Sequence, residues 1–179
     1  MLKLPVTLES KTLLKSRIFN IIESRVKFSN GEERVFEKAT TNNNGAVMIL
    51  PVLNQDTFLL IREYAAASEQ YFLGFPKGAI GKGEDLLETA NRELMEEVGY
   101  GAHRLTFLKE MSLSPAYFDA KMQLVLAEDL YPKKLAGDEP EMIEVVPWKF
   151  SDIDLLLAHP EFHESRSIAA LLLLERRKR

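Results

Sequence analysis

Three carboxylates, Glu93, Glu96 and Glu97, lie within five positions of one another in the stretch Gly78 to Tyr100, GAIGKGEDLLETANRELMEEVGY. The second half of that stretch reads as a helix. At about 100° per residue, Leu87, Ala90, Leu94 and Val98 share one apolar face, and Gly99 supplies the stop. On the same wheel Glu93 and Glu97 stand one turn apart at the edge of the apolar face, and Glu96 sits beside them, nearer to solvent. Like charges at these spacings weaken a helix by roughly 0.2–0.5 kcal/mol per pair. A hard divalent cation removes the repulsion: Mg²⁺ takes oxygen ligands and keeps waters that substrate phosphates can replace. Glu84, Asp85 and Glu88 bring the acids of the stretch to six, offset only by Lys82 and Arg92. Arg92, four residues from both Glu88 and Glu96, is placed to brace the acidic face. The plain alternative is a solvated acidic helix.

The full spacing decides between them. Gly78, five residues, Glu84, seven residues, then Arg92-Glu93-Leu94-x-Glu96-Glu97-x-Gly99-Tyr100 resembles the Nudix box throughout. The final position is usually a bulky aliphatic and here is Tyr100, a packing position that leaves the chemistry untouched. Two other phosphate motifs fail. Gly83 stands where a P-loop needs Ser or Thr, and Pro76 where it needs its first Gly; the glycines do not space as GxGxxG.

The resemblance implies hydrolysis of a phosphorus anhydride in a nucleoside diphosphate linked to another moiety, with Mg²⁺ (or Mn²⁺) as cofactor. It also implies roles. Glu93, Glu96 and Glu97 are the metal-binding carboxylates, and Gly78 offers a backbone carbonyl to the metal. Arg92 orients Glu93, and Glu84 ties loop to helix. The wheel ranks Glu93 and Glu97 above Glu96. Some members take their general base from the box and others from a late loop. That loop here is GDEPE, with Asp138, Glu139 and Glu141, and Glu139 is the choice.

Composition sets outer limits. Of the 179 residues, 46% are hydrophobic, ample for one core domain with extensions. Cysteine is absent, so disulfides and thiolate chemistry are excluded. His103, His159 and His163 are scattered and read as structural or surface residues. The net charge of −4 argues against nucleic acid. The absence of a long apolar run argues against a membrane span, and no signal-peptide core is visible at the start. A cytoplasmic protein is the expectation.

The box helix needs a scaffold. Residues 1–13 read as an irregular lead-in. Residues 17–28 and 34–40 read as two strands joined by the hairpin signal Ser29-Asn30-Gly31, and TTNNNG (40–45) as a polar link. Strands follow at 46–53, 57–64, 71–75, 104–111, 121–128 and 142–148. Ser151 caps a helix to Leu157, and a terminal helix over 164–177 buries its Leu171–Leu174 run. This order is α/β. By resemblance it is a Nudix α/β/α sandwich with a mixed sheet, box helix on one face and terminal helix on the other, plus N-terminal antiparallel strands. Residues 1–44 are then a dimer arm and 45–179 the hydrolase domain.

Residues outside the box choose the substrate. Pro115, fifteen positions past Tyr100, looks like the downstream proline of Nudix enzymes acting on ADP-ribose. Tyr117 and Phe118 beside it could stack a base. Arg62 and Glu63 resemble the position that holds the adenine end, although a strand-end ion pair is the plain reading of both. The chain looks like the family members that cleave ADP-linked compounds (ADP-ribose, diadenosine polyphosphates, NADH) to release AMP. Such enzymes exchange N-terminal strands between subunits, so a homodimer is implied. The alternatives are action on a GDP-sugar or nucleoside triphosphate, and a non-catalytic ADP-ribose sensor.

Overall fold

A computed structural model describes residues 3–41, 45–137 and 139–178. Three strands come first: β1 (Val6–Lys15), β2 (Phe19–Lys27) and β3 (Glu33–Thr41). Then follow β4 (Ala46–Pro51), β5 (Thr57–Ala65), β6 (Gln70–Gly74) and β7 (Lys77–Ala79). Helix α1 (Leu86–Glu93) leads through a π-helical turn, Leu94–Val98, into β8 (Tyr100–Ser112). Strands β9 (Lys121–Pro132) and β10 (Glu144–Lys149) precede α2 (Ile153–Leu157) and α3 (Ser165–Lys178). Among the described residues no helix is long and apolar enough to cross a membrane.

The central strands are apolar nearly throughout, the pattern of strands covered on both faces. Alternate residues divide between two cores. Val47, Ile49, Leu59, Ile61, Val125 and Ala127 meet Ala90, Leu94 and Val98 of the box helix. Met48, Leu50, Phe58, Leu60, Leu124 and Leu126 meet Ala170, Leu171 and Leu174 of α3. The α/β/α sandwich is therefore built as the resemblance implies. Its middle layer is two sheets rather than one. A four-stranded mixed sheet runs β7-β4-β9-β8, with β4 parallel to β9, and an antiparallel sheet runs β10-β5-β6.

Four expectations are corrected. The lead-in is strand β1, paired with β2 from Val6↔Lys27 to Lys15↔Asn20; every one of its residues is exposed, so no burial pattern marks it. Lys77–Ala79 is a strand on the edge of β4 rather than loop. Ser151 does not cap α2: it lies in a 3-10 turn (Phe150–Asp152), and its hydroxyl contacts Asp152 Oδ1 at 2.7 Å. The run Leu171–Leu174 is buried only at its ends; Leu172 and Leu173 are exposed, because consecutive helical residues point about 100° apart. Asn42–Asn44 of the polar link lie outside the described residues. Leu171→Ala is expected to cost about 2–5 kcal/mol, and Leu173→Ala to stay within about 0.5 kcal/mol, as read from denaturant midpoints.

Candidate active site

Helix α1 starts where Asp85 Oδ1 accepts the N–H groups of Leu87 (2.9 Å) and Glu88 (3.1 Å), a side-chain N-cap. It does not remain α-helical to Gly99. From Leu94 the backbone widens into a π turn, a feature that recurs at functional sites. Gly99, at φ 81°, ends it in the left-handed conformation. Glu93 closes the α segment, and Glu96 and Glu97 lie in the π turn.

Glu93 and Glu97 are both buried, at 7% and 3% exposure. Glu93 reaches across to Gly78 on β7, so closely that a methyl group there would overlap its carboxylate. Glu97 accepts the backbone N–H of Lys77 at 2.9 Å. The Lys77 ammonium pairs with Glu63 on β5. Arg92 forks between Glu93 (2.9 Å) and Glu96 (2.9 Å), with Glu84 at 3.6 Å. Its expected neighbour Glu88 is not among these partners. Glu84 accepts from Gly81 N–H and the Thr89 hydroxyl, which hold its carboxyl below the usual range and tie loop to helix.

Burial dominates the electrostatics. It pushes Glu97 up to about 8, against the pull of Lys77, and the nearby charges of Glu63 and Glu93 add to the rise. Burial also raises Glu93 against the pull of Arg92, with Glu96 and Glu139 adding to it. These groups line a cleft of about 580 Å³ together with Ala136, Gly137 and Glu139. Sites with pairs of carboxyls shifted in this way are candidates for metal or acid–base chemistry.

Glu139 enters from a long loop, residues 133–143. The helix end organises that loop. Its last carbonyls lack intrahelical donors. Leu135 N–H donates to Met95 O at 3.1 Å, Lys133 N–H to Gly99 O at 3.0 Å, and the Lys134 ammonium to Glu96 O. Asp138 lies outside the described residues. Glu141 turns away from the cleft to accept the Tyr71 hydroxyl at 2.7 Å.

The expected substrate residues divide. Glu63 lines the acidic cleft. Arg62 faces an adjoining pocket with Tyr64, Tyr71, Glu139, Met142 and Glu144. There it pairs with Glu144 and, at 3.0 Å, with Glu161. Pro115 and Tyr117 line neither. Their loop docks on β3, where Ala39 N–H donates to Tyr117 O at 2.8 Å, and the Tyr117 ring is exposed. The histidines are ring neighbours: His103 of Tyr131, His159 of Trp148 and His163 of Phe72. Lys77 is the residue that reading the sequence passes over. Its partners stand fourteen and twenty positions away, so only the β7 pairing reveals it.

Comparison with known proteins bears on what this arrangement does. The NUDIX domain model matches residues 42–172, and the model of the NudE-type Nudix hydrolase N-terminal domain matches residues 5–38. The chain is 48% identical over 173 residues to the ADP compounds hydrolase NudE of Escherichia coli (strain K12), covering 97% of this chain and 92% of that protein. It is 29% identical to an ADP-ribose pyrophosphatase of Bacillus subtilis (strain 168), covering 94% of each. A crystal structure of an ADP compounds hydrolase superposes with a TM-score of 0.91 at 47% identity, covering 98% of this chain and 95% of that one. With a box whose acids converge on one cleft and relatives that match it from end to end, this chain belongs to the Nudix hydrolases and is an enzyme of that family.

Proposed function

We propose that the enzyme is an Mg²⁺-dependent pyrophosphohydrolase of ADP-linked compounds, taking ADP-ribose, diadenosine polyphosphates such as diadenosine triphosphate, and NADH, and releasing AMP. Mn²⁺ is the natural substitute ion. The observation that carries this reading is the buried pair Glu93 and Glu97 beside Gly78, with Glu139 facing them across one cleft. Near full-length similarity to an ADP compounds hydrolase supports the substrate class.

The donors suit a hard divalent ion. Among the described residues no three acidic or histidine side chains cage a cation unaided, and Glu93 and Glu96 are both paired with Arg92. Mg²⁺ is commonly held in this way, by one or two carboxylates and the substrate's phosphates. Glu93, Glu97 and the Gly78 carbonyl would hold it, with Glu96 at the rim. When bound, the ion supplies Lewis acidity and neutralises charge on the diphosphate. Arg92 holds Glu93 in its rotamer, and the Lys77 N–H holds Glu97. Glu139 takes the proton from the attacking water as the oxygen–phosphorus bond forms, and the anhydride bond breaks with its bridging oxygen leaving on the other phosphate. Arg62 and Glu63 lie on the strand beside both pockets and would contact the nucleotide. Tyr117, whose ring is exposed, would stack a base of the substrate, with Pro115 shaping its loop.

The N-terminal sheet favours a homodimer. Leu14, Val35 and Phe36 are exposed on β1–β3, apolar side chains on both faces of the sheet that a second subunit would cover. Sedimentation equilibrium is expected to give twice the chain mass of 20.4 kDa; a monomer would remove the arm.

The test of function is release of the nucleoside monophosphate (AMP, GMP or dAMP), with and without Mg²⁺, from ADP-ribose, diadenosine triphosphate, NADH, GDP-mannose and dATP. Metal-dependent AMP is expected from the first three alone. Turnover of GDP-mannose or dATP in their place would reassign the substrate. Glu139→Gln is expected to lower kcat by about 10²–10⁴-fold, the usual worth of a general base, with KM little changed. Wild-type kcat in that variant would move the base elsewhere.

A further inference from the structure

The loop that carries Glu139 is mostly exposed, and Ile143 at its end packs against the core. Its middle stands over an open cavity of about 390 Å³, lined by Glu96, Lys134, Leu135 and the loop's own residues. Met142 is 93% exposed. The start of the loop is fixed on the helix end through Leu135 and Lys134, and its end is fixed as β10, where Arg62 pairs with Glu144. Between these anchors, one side-chain bond joins the loop to the body among the described residues: Tyr71 Oη donating to Glu141 Oε1 at 2.7 Å. Glu141 is two residues beyond Glu139.

Tyr71 is itself well placed to be firm. It pairs with Tyr64 across β5–β6, and the two rings meet nearly edge-on at 5.5 Å. Both rings wall the pocket that adjoins the acidic cleft, and Glu63 and Glu139 line both spaces.

We infer that Tyr71 is a positioning residue, whose hydroxyl pins the loop through Glu141 and so sets where the Glu139 carboxylate stands. The inference rests on Glu139 as the general base. The chemistry is directional. Glu141 is a strong acceptor, and a phenol is a single donor on a rigid ring, so the pair fixes a distance and an angle that a flexible lysine would not. A misplaced base lowers the rate of proton removal without altering the groups that bind the diphosphate.

The test compares Tyr71→Phe, Glu141→Ala and their double variant with Tyr64→Phe, which keeps the ring pair and removes the neighbouring hydroxyl. Tyr71→Phe is expected to lower kcat about 3–10-fold at unchanged KM. Glu141→Ala is expected to do the same, and the double variant to lose no more than either single one. Amide hydrogen exchange across residues 139–143 is expected to quicken in Tyr71→Phe and not in Tyr64→Phe, a readout independent of turnover. Wild-type kcat in Tyr71→Phe, a raised KM in its place, multiplied losses in the double variant, or unchanged exchange would each overturn the latch. Glu139→Gln, assayed alongside, separates the two failures. If it keeps full activity, the base assignment falls; if it is inactive while Tyr71→Phe is normal, only the latch falls.

Discussion

Glu97→Gln is expected to lower kcat about 10³-fold, equivalent to about 4 kcal/mol of transition-state stabilisation, while the fold holds. The side chain is 3% exposed and is fixed by Lys77 N–H at 2.9 Å, so an isosteric amide keeps the shape and that acceptor. What it loses is the second charged oxygen. The pH dependence separates this from unfolding. The native carboxyl titrates at about 8 against an ordinary value of 4.5, so between those limits the native state binds the extra proton. Stability of the metal-free enzyme therefore falls as pH rises from 4.5 towards 8, and the loss is complete above it. Glu97→Gln removes that slope. Added Mg²⁺ should restore stability at high pH in the wild type by binding the native state alone, and should do little for the variant. Melts at pH 5 to 9, in EDTA and in Mg²⁺, read all of this. A wild-type slope in Glu97→Gln would show that another group titrates.

Gly78→Ala is the second large effect, and it acts from the opposite wall. The added methyl overlaps the Glu93 carboxylate. The backbone needs no positive φ there, and the obstacle is the far end of a flexible side chain. The protein should therefore accommodate the methyl by swinging Glu93 out of the cleft. Stability changes by roughly 1 kcal/mol or less, in the ordinary range of a tolerated substitution, while kcat falls about 10²-fold or more, since the positions of reacting groups matter at the ångström scale. Parallel denaturation and turnover measurements check it. Equal retention of both would mean that Glu93 is free to act from another rotamer.

What could be read in advance follows from how local each signal is. Glu93 and Glu97 lie four residues apart on one helix, so their approach is legible from spacing, as is the Gly99 stop. The α-to-π change at Leu94 is not, because the same side chains suit both windings. Strand β7 is three residues long, and its placement comes from β4, thirty positions earlier. The role of Lys77 is hidden in the sequence for the same reason. β1 shows no burial and takes its hydrogen bonds from β2. Glu139 is a loop acid among three, and its position depends on the carbonyls left bare at the helix end. For Arg62 the sequence implies an ion pair but not its partners, Glu144 and Glu161, which stand far along the chain.

The parallel pairing of β4 with β9 has a kinetic consequence. Ala46 must find Met122, and the chain between them contains every residue of the box. Closing so long a segment costs entropy before any contact rewards it, and non-local pairings of this kind slow folding. On a ribosome, β4 must wait for β9 to emerge, with its apolar residues uncovered on one edge. The wall of the acidic cleft that carries Glu139 follows β9 in the chain, so only after that strand is made is the cleft complete. An ion that binds it should slow unfolding without hastening refolding, and a chain cut short within β9 should collapse without a site.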